Sequence, residues 1–175
     1  RDQNLMVSMG QFLGRLDRGL SDFLHPAAAH ALLWDVQQTP SLHQHLPHIK
    51  DKNNLLNAQK TLDHFQEHIA PKFSILRTQV IHNDMNPDNI VVKQSDSSQV
   101  AGLIDFGDMV YAPLINEPAV AAAYQAVSCA DLFLGTTDIL KGYHSAHPLQ
   151  EQEIYLLPSL VVNRIAMTAI ISEWR

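Results

Sequence analysis

Between residues 82 and 107 the chain gathers the side chains best suited to chemistry. His82-Asn83-Asp84-Met85-Asn86-Pro87-Asp88-Asn89 sets a histidine two residues before an aspartate and an asparagine five residues after it, and Asp105-Phe106-Gly107 follows. The order H-x-D-x-x-x-x-N and then D-F-G suits phosphoryl transfer, which leaves a protein little covalent work. It must position a hydroxyl, neutralise a triphosphate such as that of ATP and hold the metal. Asp84 is suited to orient the nucleophilic hydroxyl and accept its proton. Asn89 offers an amide oxygen and Asp105 a carboxylate, the hard oxygen ligands that Mg2+ takes beside phosphate oxygens and water. His82 reads as a structural anchor whose ring nitrogens bond nearby backbone. Gly107 reads as the residue that lets the backbone turn so that Asp105 faces the phosphates. On this reading Asp84, Asn89 and Asp105 converge at the mouth of one cleft.

The elements that must position them follow from the spacing. Asp105 lies 21 residues after Asp84, the length needed to leave a loop, run up one strand, turn and return. Val80-Ile81, Ile90-Val91-Val92 and Val100 to Ile104 are β-branched runs, and Ser95-Asp96-Ser97-Ser98 supplies a turn, so a small β-ribbon is expected. Leu5, Met6, Met9, Phe12, Leu13, Leu16, Leu20 and Phe23 recur at helical spacing, and Leu55, Leu56, Leu62, Phe65 and Ile69 mark a second helix that Pro71 stops. Pro26 opens a short helix through Leu32 and Trp34, whereas the stretch from Thr39 to Lys50, with two prolines and three histidines, reads as a loop. Helical signals return at Asn116 or Glu117 as cap, with Pro118 in the first turn and Ala119 to Cys129 beyond. The strongest late helix runs from Leu160 to Trp174. The expected class is α+β, a mainly helical lobe with a β-ribbon at its cleft, residues 1–175 forming one domain.

Composition bounds the partners. The 175 residues are 46% hydrophobic, enough for a core, and the net charge of −6 comes from interspersed charges. A nucleic-acid groove would gather lysine and arginine on one face, so a cationic or amphoteric small molecule is expected instead. No apolar run approaches roughly 20 residues and no basic start precedes an apolar stretch, which leaves no membrane partner and the cytoplasm as the expected location. One cysteine, Cys129, excludes an internal disulfide framework and reads as a buried thiol.

The run VIHNDMNPDNIVV and the later GLIDFGDMVYAPLINEPAVAAAYQA resemble the phosphotransferase superfamily of aminoglycoside phosphotransferases, choline kinases and homoserine kinases. IDFGD followed by a tyrosine and an acidic residue is most similar to hydroxylysine kinases and to kinase-like domains fused to class III aminotransferases. The LGRL run of the opening helix resembles the helix that follows the hinge in that family. The resemblance implies the larger lobe of a protein-kinase-like fold, ATP-dependent phosphorylation of a small molecule's hydroxyl, Asp84 as catalytic base, Asn89 and Asp105 as magnesium ligands that also meet the nucleotide, and His82 as loop anchor. An amino alcohol, a hydroxy amino acid or an aminoglycoside-like compound is the implied acceptor. One departure is Asn83, where the superfamily often has glycine, although asparagine tolerates left-handed backbone. A larger one is that no glycine-rich loop, strand lysine or partner glutamate precedes the opening helix, so the N-terminal ATP-clamping lobe is expected outside this chain and the isolated fragment is expected to be inactive.

Plainer readings stand beside these. Asp88 reads as structural, and Asp108 is open between a cationic pocket or the metal's surroundings and a salt-bridged or capping role. Glu117 reads as a favourable charge at a helix start in preference to a substrate contact, and Tyr111 and Tyr124 are open between lining a pocket and the commoner place in the core. His64-Phe65-Gln66-Glu67-His68 matches H-x-x-E-H, which opens a rival reading as a zinc hydrolase through His64, Glu67 and His68. Two surface histidines on an amphipathic helix are the preferred account of it, the zinc reading being remote, and His43, His45 and His48 read as solvated. The other rival is a non-catalytic kinase-like module that binds a metabolite or regulates a fused enzyme, against which intact Asp84, Asn89 and Asp105 argue.

Overall fold

In a computed structural model of the protein, residues 2–127 and 132–175 are described. Cys129, expected as a buried thiol, lies outside them. Helix α1 (Gln3–Leu20) starts where the Asp2 carboxylate accepts from the amides of Asn4 and Leu5. Its helical period buries Met6, Met9 and Leu13 and ends before Phe23, which is exposed. The same face carries Gly10 and Gly14, and it packs against α4 (Leu132–Ala146). A Cβ on Gly10 would meet the Ile139 carbonyl at 1.9 Å, and one on Gly142 would meet the Val7 carbonyl at 2.2 Å. Glycine is therefore what lets these two backbones approach.

The stretch expected as a loop is ordered. Residues Val36–His48 run as consecutive 3-10 turns opened by the Asp35 carboxylate, which accepts from Gln37 N at 3.0 Å. Val36, Thr39, Leu42 and Leu46 are buried. The first three recur every third residue, the period of a 3-10 helix, which a search for 3.6 residues per turn passes over. The expected short helix at Pro26 is likewise a 3-10 turn, Pro26–Ala29. Helix α2 (Lys52–His64), capped by Asp51, passes into a π-helical turn at Phe65–Ile69.

Two antiparallel pairs stand where one ribbon was expected. β2 (Ile90–Lys93) and β3 (Asp96–Leu103) form the hairpin read from the sequence, with irregular register at Val91/Val92 and Val92/Lys93. β1 (Thr78–Ile81) pairs instead with β4 (Val110–Pro113), in register Ile81↔Val110. β4 is short and ends on a proline, so its sequence carries little strand signal. The β1–β4 pair has a small core of its own, Ile81, Val110, Ala112 and Leu114.

Helices α3 (Asn116–Val127) and α5 (Glu151–Trp174) complete the main core with α1 and α4. α5 begins nine residues before the expected Leu160, at a capping box of Gln150 and Glu153, and it contains Pro158. That proline lies in the first third of the helix, and the capped start together with burial of Leu156, Leu157 and Leu160 outweighs its missing donor. Arg77, just before β1, clamps the start of α5 with two bonds to buried Glu153 of 2.9 and 2.6 Å. Among the described residues α5 is long and apolar enough to cross a membrane, a reading at odds with the sequence expectation; half of its apolar window is buried inside the fold.

Candidate active site

The loop after β1 is built around its own backbone donors. Asn83 adopts a left-handed conformation with φ 66°, which asparagine tolerates better than most side chains. This turns the amides of His82 and Asn83 toward α3, where the Glu117 carboxylate accepts both, at 2.5 Å from His82 and 3.0 Å from Asn83. Glu117 is fully buried, and burial, the largest influence, pushes its carboxyl up to about 7 against the two amide bonds that favour the charged form. The position expected to serve only the helix dipole is thus the seat of the loop.

His82 ties the loop to the segment after β3. Its Nε2 donates to the Ile104 carbonyl at 3.2 Å and its Nδ1 accepts from Asp84 N at 3.3 Å, an arrangement met by the neutral Nε2–H tautomer. Burial lowers its pKa, consistent with a neutral ring, and the Phe106 ring meets it edge-on at 4.8 Å.

Asp84 is held at both carboxylate oxygens. Oδ2 accepts from the amide nitrogens of Asn86, at 2.8 Å, and Asn89, at 2.9 Å; Oδ1 accepts from the Tyr124 hydroxyl at 2.9 Å. Asn89 also donates to the Asp84 carbonyl at 2.9 Å, and the Asn86 side-chain oxygen accepts from the amides of Asp88 and Asn89. Asp88 itself is exposed.

Asn89 and Asp105 meet at one end of the β2–β3 ladder, because Ile104 N donates to the Asn89 carbonyl at 3.0 Å. The left-handed residue of this turn is Asp105 itself, with φ 61°, and no glycine has positive φ. Gly107 acts differently from the expectation. Its amide donates to Asp105 Oδ1 at 3.2 Å, and a Cβ there would press on that same oxygen at 3.1 Å. Asp105 is exposed, so its second oxygen is open to solvent. The Asn89 amide nitrogen is spent on Asp84, which leaves its carbonyl oxygen as the atom that could meet an ion. Two hard oxygens at one ladder end fit a divalent ion that keeps water and phosphate oxygens for its other positions. Asp108, half-buried, has its carboxyl raised by burial first and then by Asp84, with Asp105 adding to it, which puts three carboxyls in one region.

Behind Asp84, Arg164 of α5 donates through Nη2 to the Tyr124 oxygen at 3.2 Å and through Nη1 to the Trp34 carbonyl. A cavity of about 300 Å³ opens beside them between α3 and α5, lined by Pro87, Tyr124, Val127, Arg164, Ile165 and their neighbours. Tyr124 is therefore more than core, and Tyr111 is not core at all: it is exposed, its hydroxyl 2.8 Å from Thr78 Oγ1. Sequence reasoning raised neither Asn86 nor Arg164, and it weighed Glu117 and Tyr124 without finding their partners in the loop. Glu117 and Tyr124 carried a readable signal, since seven residues in a helix are two turns and place both on one face.

His64 and His68 belong to a different surface. Their rings meet edge-on at 5.0 Å, His64 Nε2 lies 3.4 Å from Ser159 Oγ, and among the described residues no group of three histidine, cysteine or acidic side chains is set to hold a metal. The helix turns π-helical at Phe65 and keeps the two rings neighbours, so what a zinc site lacks there is a third ligand among the described residues. His43 is tied to Asp63 at 3.0 Å and His45 stacks on Trp174 at 4.0 Å, so neither is simply solvated.

Comparison with known proteins bears on the family and the fold. Over 179 residues the chain is 26% identical to hydroxylysine kinase of Mus musculus, and over 180 residues 25% identical to that of Bos taurus; each alignment takes in 97% of this chain and 48% of the relative. The chain thus spans about half the length of these relatives. Among solved structures, the amicoumacin kinase hAmiN in complex with AMP-PNP, Ca2+ and Ami superposes with a TM-score of 0.70 at 15% identity, over 98% of this chain and 52% of that one, which shows a shared kinase-like fold. Residues 1–149 match the Phosphotransferase enzyme family, and the chain belongs to it.

Proposed function

We propose that this chain is the catalytic lobe of an ATP-dependent phosphotransferase acting on the hydroxyl of a small molecule, with a hydroxy amino acid such as hydroxylysine as the preferred acceptor. One observation carries the reading: the Asp84 carboxylate is fixed by three donors, and only Oδ1, with a single donor, retains an in-plane lone pair. That lone pair orients the acceptor O–H and takes its proton as the oxygen bonds the γ-phosphorus. The bond from that phosphorus to the bridging oxygen breaks, ADP leaves, and Asp84 returns the proton to solvent. His82 and Glu117 hold the loop in place. Asn89 and Asp105 would hold Mg2+, which when bound neutralises charge on the phosphates. The acidic surroundings of Asp84, Asp105 and Asp108 suit an acceptor bearing an amine. The glycine-rich clamp for the nucleotide, and a cytoplasmic site of action, are parts of the same proposal.

The test is steady-state kinetics of the complete protein with ATP, magnesium and hydroxylysine. Asp84→Asn should lower kcat by roughly two to four orders of magnitude and leave KM for ATP within about twofold. Asp105→Ala should abolish magnesium-dependent turnover. An Asp84→Asn enzyme that turns over normally and only raises KM for ATP would sink the base assignment.

A further inference from the structure

Building on the reading of Asp84 as base, we propose that Tyr124 and Arg164 are a positioning pair that sets which oxygen of Asp84 receives the acceptor proton. A phenol has one proton, and a guanidinium can only donate. Because Arg164 Nη2 donates to the Tyr124 oxygen at 3.2 Å, the phenolic proton is directed onto Asp84 Oδ1 at 2.9 Å. Oδ2 already accepts from Asn86 and Asn89, so the pair holds the one oxygen that still has room for an incoming hydroxyl.

Arg164 is an expensive way to fill a helix interface. It is 1% exposed, its Nε has no hydrogen-bond partner, and no carboxylate pairs with it among the described residues. Its guanidinium lies between the Trp34 ring, at 5.1 Å, and the Tyr124 ring, at 5.6 Å. An apolar side chain of similar volume would pack there without stranding a charge. What the cation supplies is a fixed donor and a positive field that reaches Asp35, Asp108 and Glu117, each of whose carboxyls it favours in the charged form. Tyr124 also lines the cavity between α3 and α5, so one side chain touches both that cavity and Oδ1.

Kinetics of the complete protein with ATP and hydroxylysine test the pair. Tyr124→Phe keeps the ring and removes only the hydroxyl. It should lower kcat roughly ten- to a hundredfold, the range for losing one hydrogen bond to a charged group, with both KM values unchanged; the melting temperature falls as well, because buried Arg164 Nη2 loses its acceptor. Arg164→Met should lower kcat similarly, and the double variant should be no slower than Tyr124→Phe, because both act through one contact. A Tyr124→Phe enzyme within twofold of wild type, a loss expressed in KM alone, or multiplying losses in the double variant would overturn the proposal. If Arg164→Met does not fold, a crystal structure of the 175-residue Tyr124→Phe chain decides: Oδ1 displaced or spread over two positions supports the pair, and Oδ1 unmoved overturns it. Asp84→Asn separates the two levels. Normal turnover in that variant sinks the base and the pair together, whereas lost turnover beside an unaffected Tyr124→Phe sinks the pair alone.

Discussion

Glu117 and His82 hold the same loop at neighbouring residues, and burial moves their titrations in opposite senses. The neutral His82 ring is favoured in the fold, so its contribution is complete above its ordinary value of 6.5 and is lost as pH falls below it. Glu117, pushed from 4.5 to about 7, binds its proton more tightly in the fold; its contribution is complete below about 4.5 and is lost as pH rises toward 7. Asp17, buried and raised by desolvation and by Glu117, adds to the second trend. Glu117→Gln removes one titration and keeps a carbonyl oxygen to accept from the loop. Denaturant unfolding should therefore show the wild type losing stability relative to the variant between pH 4.5 and 7. A difference that stays flat over that window would mean that the two backbone amides, and not burial, govern the Glu117 charge.

Among the elements, α1 and α4 are the pair whose contact can be tested most sharply, because glycines on both set their separation. Gly10→Ala would drive a Cβ to 1.9 Å from the Ile139 carbonyl and 2.6 Å from Tyr143 N, both backbone atoms that cannot rotate away. Urea unfolding should show a loss of about 1–3 kcal/mol or more, as overpacking forces the helices apart. Gly19, on the same helix, has nothing within 4 Å of its would-be Cβ. Gly19→Ala should gain up to about 1 kcal/mol from helix propensity alone. Equal effects at the two positions would show that propensity, not helix approach, decides both.

For the molecule as a whole, the proposed function makes the described residues one wall of a nucleotide site, a reading that binding to this chain can test. The seven glycines are scattered rather than gathered in a phosphate-wrapping turn, and Asn89 and Asp105 can reach phosphates only through an ion. The 175-residue chain should fold cooperatively yet bind ATP with magnesium weakly. Each missing charge-assisted hydrogen bond forfeits roughly 1.5 to 3 kcal/mol of contact. Isothermal calorimetry checks this, and tight binding by residues 1–175 alone would show that the clamp lies within them.

Residue types and local spacing were enough to mark the loop, the hairpin and the helices α1, α2 and α3, because each rests on neighbours close in sequence. The departure of Asn83 from glycine was legible in the same way: its φ of 66° is a conformation that asparagine tolerates. Pairings between distant segments were not legible. Whether β1 joins the hairpin or β4 depends on which edge the chain returns to, and the 3-10 stretch at Val36–His48 is ordered by burial against α5 more than by its own pattern. The site divides along the same line. Asp84, Asn89 and Asp105 could be named from one motif, whereas Glu117, Tyr124 and Arg164 come from helices that begin or lie well beyond it. What makes them part of the site is a buried acceptor for two amides and a buried donor chain to one carboxylate, and such partnerships exist only once the helices are packed.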